Sequence, residues 1–310
     1  MAHPFRFACE IHAPFEGRSW PDTFREIEQL GYATAFLPDH FHEGPGPLAA
    51  MAAGATATST LIVGSLVLDC DFRHPAVLAR ELATIDHLAE GRLEVGLGAG
   101  WRAEDYRTAG IAMDRPGVRV SRMIEHTAVL RGLWGDGPFD FAGDHYTITE
   151  LDGTPKPLTP GGPKLLIGGG APRVLRFAGA TADIVGVNAS IHSGEIDTDA
   201  ARDGLPERID EKVAWVREGA GDRFDALELN AWLAVAEVTD DQQGLAELVA
   251  PMFDATPAEV LSSPLALIGS PAQIAEQLAA RRDRWGYSYH VIPGDRAHVF
   301  APIVAELTGR

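Results

Sequence analysis

The run Phe72–Trp101, FRHPAVLARELATIDHLAEGRLEVGLGAGW, constrains the fold more than any other stretch of this chain. Leu78, Leu82, Ile85 and Leu88 share one face of Pro75–Leu88, with Arg80, Glu81, Thr84 and His87 mostly on the other. That spacing predicts an amphipathic helix. Gly91 turns the chain, and Arg92–Gly98 then alternates Leu93, Val95 and Leu97 with Glu94, Gly96 and Gly98, the period of a strand. The strand empties into Gly98-Ala99-Gly100-Trp101, where the backbone is almost stripped of side chains. A helix leading into a strand is half of a repeating α/β unit. The C-terminal ends of such strands are where those folds bind ligands.

The same alternation recurs along the chain. Strand-like runs fall at Arg6–Ile11, Ala33–Leu37, Leu61–Leu68, Arg92–Gly98, Lys164–Ile167, Asp183–Val187, Leu227–Val238 and Tyr287–Ile292. Helix-like runs fall at Trp20–Leu30, Pro75–Leu88, Gly117–Trp134, Arg173–Ala180, Pro206–Glu218, Ala272–Trp285 and Ala297–Leu307. This order predicts an α/β fold, a (β/α)8 TIM barrel forming one domain over residues 1–310, with an open doubly wound sheet as the alternative. The glycine- and proline-rich segment Gly135–Gly162, around FDFAGDHYTI, reads as an insertion between strands four and five that forms a small hairpin. Asn188–Leu205 is polar and reads as a helix-poor loop.

Charge and cysteine content narrow the function classes. The net charge is −18, from 26 Lys and Arg against 44 Asp and Glu, which argues against binding nucleic acid or anionic membrane through a basic surface. Cys9 and Cys70 are the only cysteines and sit in or beside apolar runs, so buried thiols are expected and a disulfide scaffold is not. The start MAHPFRFACEI lacks the features of a signal peptide, and no apolar run reaches membrane-spanning length, so a cytoplasmic protein is expected.

Three loops carry candidate chemistry. Gly96–Trp101 allows close backbone approach to a planar ring or a phosphate, and equally serves as a tight turn. It is not a dinucleotide fingerprint, because Trp101 occupies the place of the third glycine. Gly168-Gly169-Gly170 ends an apolar strand just before a helix that begins at Pro172. Its free amides and the helix dipole suit a phosphate, with Arg173 as countercharge. Pro38-Asp39-His40-Phe41-His42 ends strand two. His40 can hold or move a proton near neutral pH, and Asp39 can accept a hydrogen bond from a ligand. A metal held by His40 and His42, with His192 and Asp295 as further ligands, is a minor rival, and no dense cluster supports it; no metal is expected. Asp69 and Asp71 read as solvated loop charges rather than a convergent pair. Neither a Gly-x-Ser-x-Gly elbow nor a lysine-bearing phosphate loop is present.

Pro38-Asp39-His40, Gly64-Ser65-x-Val67, Phe72-Arg73-His74-Pro75-Ala76 and Gly91–Trp101 occur in an order and spacing that resemble the luciferase-like flavin and deazaflavin oxidoreductases, especially the coenzyme F420 branch. Glu104, Tyr106, Gly110, the glycines at 168–170, Ala182-Asp183 and Leu267–Pro271 extend the resemblance over nearly the whole chain. The resemblance implies a dimeric (β/α)8 barrel with the ring at the C-terminal mouth. It implies a cis peptide at Leu66–Val67 behind the ring, Asp39 and His40 at its edge, and Gly98, Ala99, Gly100 and Trp101 beside it. Gly168, Gly169 and Gly170 are then implied to hold the phosphate end of the cofactor tail. It places Asp69 at the cofactor, where related proteins more often carry a neutral residue. His40 is the expected proton donor or ring partner, and Glu10 and Trp101 are expected toward the substrate.

The activity implied is F420-dependent hydride transfer between deazaflavin C5 and a small organic substrate. Its alternative is an FMN-dependent monooxygenase. A metal-dependent hydrolase and a non-catalytic flavin-binding barrel rank lower. No cluster of basic residues suited to a sugar phosphate can be assembled from the sequence.

Overall fold

The computed structural model describes residues 3–191, Gly194 and residues 197–310. Parallel strands alternate with helices, and the fold is a (β/α)8 barrel, as the sequence predicts. Contacts group the chain into two compact units: residues 1–10, 27–34 and 167–310, and residues 11–26 and 35–166.

In the second unit, strand Ile62–Ser65 pairs in parallel with Leu93–Gly98 through Val63↔Leu93 and Gly64↔Glu94. The short strand Leu68–Asp69 rejoins the same partner at Leu68↔Leu97 and Asp69↔Gly98. The run read as one strand, Leu61–Leu68, is therefore divided at Leu66–Val67. All six residues of Leu93–Gly98 are buried.

Helix Pro75–Leu88 has the predicted bounds. The His74 side chain accepts from the Ala76 N–H at its start, and proline occupies the first turn, where its missing N–H costs nothing. Leu78, Leu82 and Ile85 are buried, whereas Leu88, in the last turn, is 44% exposed despite its place on the apolar stripe. Burying each such leucine stabilises by about 1.5–3 kcal/mol. Leu82→Ala removes a fully buried side chain from this packing and is expected to cost about 2–5 kcal/mol.

The insertion forms the expected antiparallel hairpin, Phe139–Ala142 with Thr147–Leu151. Helices Pro47–Ala57 and Ala103–Ala109 went unread: the first is apolar throughout and shows no two-faced pattern, and the second is short.

In the first unit, Arg6–Glu10, Tyr287–Pro293, Glu228–Trp232 and Ile184–Val187 pair in parallel in that order, with Phe7 and Ala231 both opposite His290. Leu227–Val238 is not one strand. After Trp232 the chain changes partners: the Leu233 N–H donates to Val291, the Ala234 N–H to Leu265, and Val235–Val238 pairs with Ala266–Gly269 in a separate two-stranded sheet. A short helix, Thr198–Arg202, capped by Asp197, lies in the segment read as helix-poor. Cys9 and Cys70 are buried free thiols. Among the described residues no helix is long and apolar enough to cross a membrane.

Candidate functional site

The second unit brings together Asp39, His40, Leu66, Val67, Asp69 and the loop Gly98–Trp101. The Leu66–Val67 peptide bond is cis. Its neighbours explain the glycines of the alternating strand. A Cβ on Gly98 would lie 2.7 Å from Val67 Cγ2, and one on Gly96 would lie 2.1 Å from the Ser65 carbonyl oxygen. A larger residue at Gly96 would displace the Ser65 backbone, and one at Gly98 would displace the Val67 side chain. Ser65 fastens the same point, its hydroxyl donating to the Gly96 carbonyl and accepting the Gly96 N–H, both at 3.0 Å. Gly100 has a positive φ of 72°, and a Cβ there would fall 1.8 Å from the Tyr106 hydroxyl oxygen.

Asp39 is a clamp. Arg73 donates to both of its oxygens, at 2.5 and 2.9 Å, and the Asp69 N–H donates to Oδ2 at 3.0 Å. The end of strand two is thereby tied to the short strand after the cis bond. Asp69 and Asp71 are not the solvated charges read from the sequence. Asp69 is 8% exposed, and the Asp71 side chain is 3% exposed. Asp69 Oδ1 accepts the Asp71 N–H at 2.9 Å, and Tyr106 Oη lies 2.8 Å from Asp69 Oδ2 and 2.9 Å from Asp71 Oδ2. Arg122 donates to Asp71 at 2.6 Å and also to Asp114. Burial pushes the Asp69 carboxyl up to about 7. The Asp71 amide and the Tyr106 hydroxyl oppose the rise, and the charges of Asp71 and Asp39 add to it. Burial, with Asp69 and Asp71, also pushes the Tyr106 hydroxyl far above its ordinary range.

His40 is oriented by a residue that the sequence reading passed over. Its Nδ1 lies 2.6 Å from Asp105 Oδ2, and Asp105 Oδ1 accepts the Phe41 N–H at 3.1 Å. A carboxylate only accepts, so Nδ1 carries the proton and Nε2 is the atom left for chemistry. Nε2 makes no hydrogen bond among the described residues. The Trp101 ring meets the imidazole edge-on at 5.5 Å between centroids. Asp105 stands 65 residues from its partner, in a helix too short to display a pattern. Arg119 steadies the loop by donating to the carbonyls of Ala99 and Gly100.

The first unit carries Gly168, Gly169, Gly170, Arg173 and Glu10. The Asn188 N–H donates to Gly169, and a Cβ on Gly170 would lie 2.5 Å from the Ser190 N, so this turn also needs glycine. Gly170 lines a cavity of about 570 Å³ whose charged wall carries three acids, Asp197, Asp199 and Asp203, beside Arg208. Arg208 is the cation on its wall, whereas Arg173 is exposed in the helix's first turn. Lys212, fully buried, donates to the Asn188 carbonyl at 2.8 Å and is paired with Asp203. Burial raises the Asp203 carboxyl, but the Lys212, Ser190 and Arg208 donors outweigh it and hold it below its ordinary value. Glu10 is 7% exposed and accepts from the Trp232 indole at 2.6 Å.

Among the described residues no group of three or more His, Cys, Asp or Glu is placed to hold a metal ion. His42 instead meets Thr108 at 2.9 Å. His192 lies outside the described residues.

Residues 1–288 match the family model of luciferase-like monooxygenases. An F420-dependent glucose-6-phosphate dehydrogenase of Amycolatopsis mediterranei is 32% identical over 164 residues, 50% of this chain and 49% of that protein. The pyrimidine monooxygenase RutA of an Enterobacter species is 30% identical over 231 residues, 66% of this chain and 61% of that protein. The chain thus spans between about half and three fifths of these relatives' length. The coenzyme F420-dependent tetrahydromethanopterin reductase of Methanopyrus kandleri superposes with a TM-score of 0.75 at 16% identity, covering 99% of both chains, which supports the fold.

Proposed function

This chain belongs to the luciferase-like monooxygenase family, and from that premise we propose that it is a coenzyme F420-dependent oxidoreductase acting on a small organic substrate. The observation that carries the reading is His40, fixed through Nδ1 by Asp105, beside the glycine loop and the cis bond. The donor set fits a planar hydride carrier: the Gly98–Gly100 segment has almost no side chains, and one imidazole nitrogen is free to give or take a proton. Asp39, His40, Leu66, Val67, Asp69 and Gly98–Trp101 are assigned to the ring, and Gly168–Gly170 with Arg173 to the phosphate tail. The deazaflavin supplies the hydride chemistry when bound.

The chain's own residues supply position, dryness and a proton. Asp105 holds the His40 ring through Nδ1, so that Nε2 is the atom that delivers a proton to a substrate oxygen or accepts one from it. The Arg73–Asp39 clamp and the Ser65–Gly96 pair hold the two strand ends that flank that imidazole. Glu10, fixed by Trp232, is assigned to the substrate side. A homodimer is part of the same reading.

The rival, an FMN-dependent monooxygenase, draws its support from the similarity to RutA. Parallel equilibrium titrations with F420 and FMN separate the two. F420 is expected to bind more tightly, and tight FMN binding with oxygen-dependent product contradicts the reading. His40→Gln is expected to lower kcat by about 10²–10⁴-fold with cofactor affinity little changed; undiminished turnover removes His40 from the chemistry.

A further inference from the structure

Tyr106 is 1% exposed, and its hydroxyl oxygen lies 2.8 Å from Asp69 Oδ2 and 2.9 Å from Asp71 Oδ2. A phenol carries one hydrogen and donates to one acceptor. At the second contact two oxygens stand at hydrogen-bond distance, so that contact needs a hydrogen from a carboxyl group. Asp71 is not its source, because Asp71 Oδ1 accepts from the Arg122 guanidinium at 2.6 Å in an ion pair. Asp69 bonds no cation among the described residues. Its Oδ1 accepts the Asp71 N–H, and its own N–H goes to Asp39, whose charge Arg73 already matches.

We propose that Asp69 holds a proton at neutral pH and donates it from Oδ2 to Tyr106, while Tyr106 donates to Asp71, forming a directed chain that ends on Arg122. A proton moving along this chain leaves Asp69 for Tyr106 as the phenol's own hydrogen passes to Asp71, with no net change at Tyr106. Asp69 is thus a positioning residue that acts through Tyr106.

The groups facing it are consistent with this state. Asp39 and Arg73 lie on one side. Cys70 and Asp71 follow on its own segment, and the Cys70 thiol is held neutral because burial raises it well above its ordinary value. Tyr106 comes from helix Ala103–Ala109. Arg119 and Arg122 come from helix Pro116–Trp134, Arg119 with its guanidinium 5.9 Å from the Tyr106 ring centroid. The direction of the Asp69 shift, upward through burial, agrees with the hydrogen count. The consequence reaches the glycine loop. A Cβ on Gly100 would lie 1.8 Å from the Tyr106 oxygen and 2.5 Å from Asp69 Oδ2, so the loop rests on this pair. Ionising Asp69 would put a second negative oxygen beneath it and break the bond that holds it.

The inference does not depend on which cofactor binds. The test is ¹³C-carboxyl NMR of the full-length, aspartate-labelled chain across a pH series, without and with F420 or FMN. One resonance is expected to titrate within about a unit of pH 7 and to vanish in Asp69→Asn. In Asp71→Asn, the Tyr106 hydrogen turns to Asp69, and that midpoint falls by about one unit or more. An asparagine reproduces the neutral acid, its carbonyl accepting from Asp71 N–H and its amide donating to Tyr106, so Asp69→Asn melts no lower than the parent at about pH 8. If every aspartate in the parent titrates below about pH 5, or Asp69→Asn melts lower or fails to fold, Asp69 is ionised and the proposal is wrong.

Discussion

Asp69 in the second unit is buried and Asp203 in the first is only half-buried, and their carboxyls are driven in opposite directions. Burial raises both. At Asp203 the fully buried Lys212, the Ser190 amide and Arg208 more than offset it. At Asp69 no cation makes direct contact among the described residues: its neighbours are the neutral Asp71 amide and Tyr106 hydroxyl, and the charges of Asp71 and Asp39 push the same way as burial. Burial sets the direction where no cation is in direct contact, and a contacting cation reverses it. The cavity at Gly170 therefore has the Asp203–Arg208 ion pair on its wall, whereas the loop at Gly98–Trp101 rests on a carboxyl pushed up to about 7.

The largest effect that tests this contrast is the pH dependence of stability. Asp69 moves from an ordinary 3.8 to about 7 on folding. Between those values the folded state binds the extra proton, so its stabilising effect is full below about pH 4, is lost as pH rises to about 7, and stays flat above that. Three units correspond to about 4 kcal/mol. Urea unfolding of Asp69→Asn across this window is expected to lack that fall and to show higher stability at about pH 8 than the parent. Next is Lys212→Met, which leaves Asp203 without its buried partner and is expected to cost about 3 kcal/mol. Denaturant melts check this value, and a loss of under about 1 kcal/mol would show that the pair does not set the difference. The smallest is Arg208→Ala. This side chain is 45% exposed, so its bond to Asp203 is worth under about 1 kcal/mol by the same assay.

The two regions also differ in how much the sequence disclosed. Strand Leu93–Gly98, helix Pro75–Leu88 and the 139–151 hairpin were legible because apolar period and turn residues are local signals. The split of Leu227–Val238 was not, because the apolar run continues while the hydrogen-bonding partner changes from Val291 to Leu265. His40 was legible from its place after a strand. Its orienting partner Asp105 was not, since the contact spans 65 residues and only the fold supplies it. The aspartates at 69 and 71 were misread for the same reason. Spacing shows two acids on a loop; burial, Tyr106 and Arg122 decide what they are.

Hydride transfer from a bound deazaflavin is tested by an anaerobic single-turnover experiment. The enzyme is loaded with reduced F420 carrying deuterium at C5 and mixed with a panel of small carbonyl and imine acceptors. Reoxidation of the deazaflavin without oxygen and deuterium in the reduced product are expected, with both slowed about 10²–10⁴-fold in His40→Gln. Turnover that requires FMN and oxygen, with no label transferred from F420, would contradict hydride transfer from the deazaflavin.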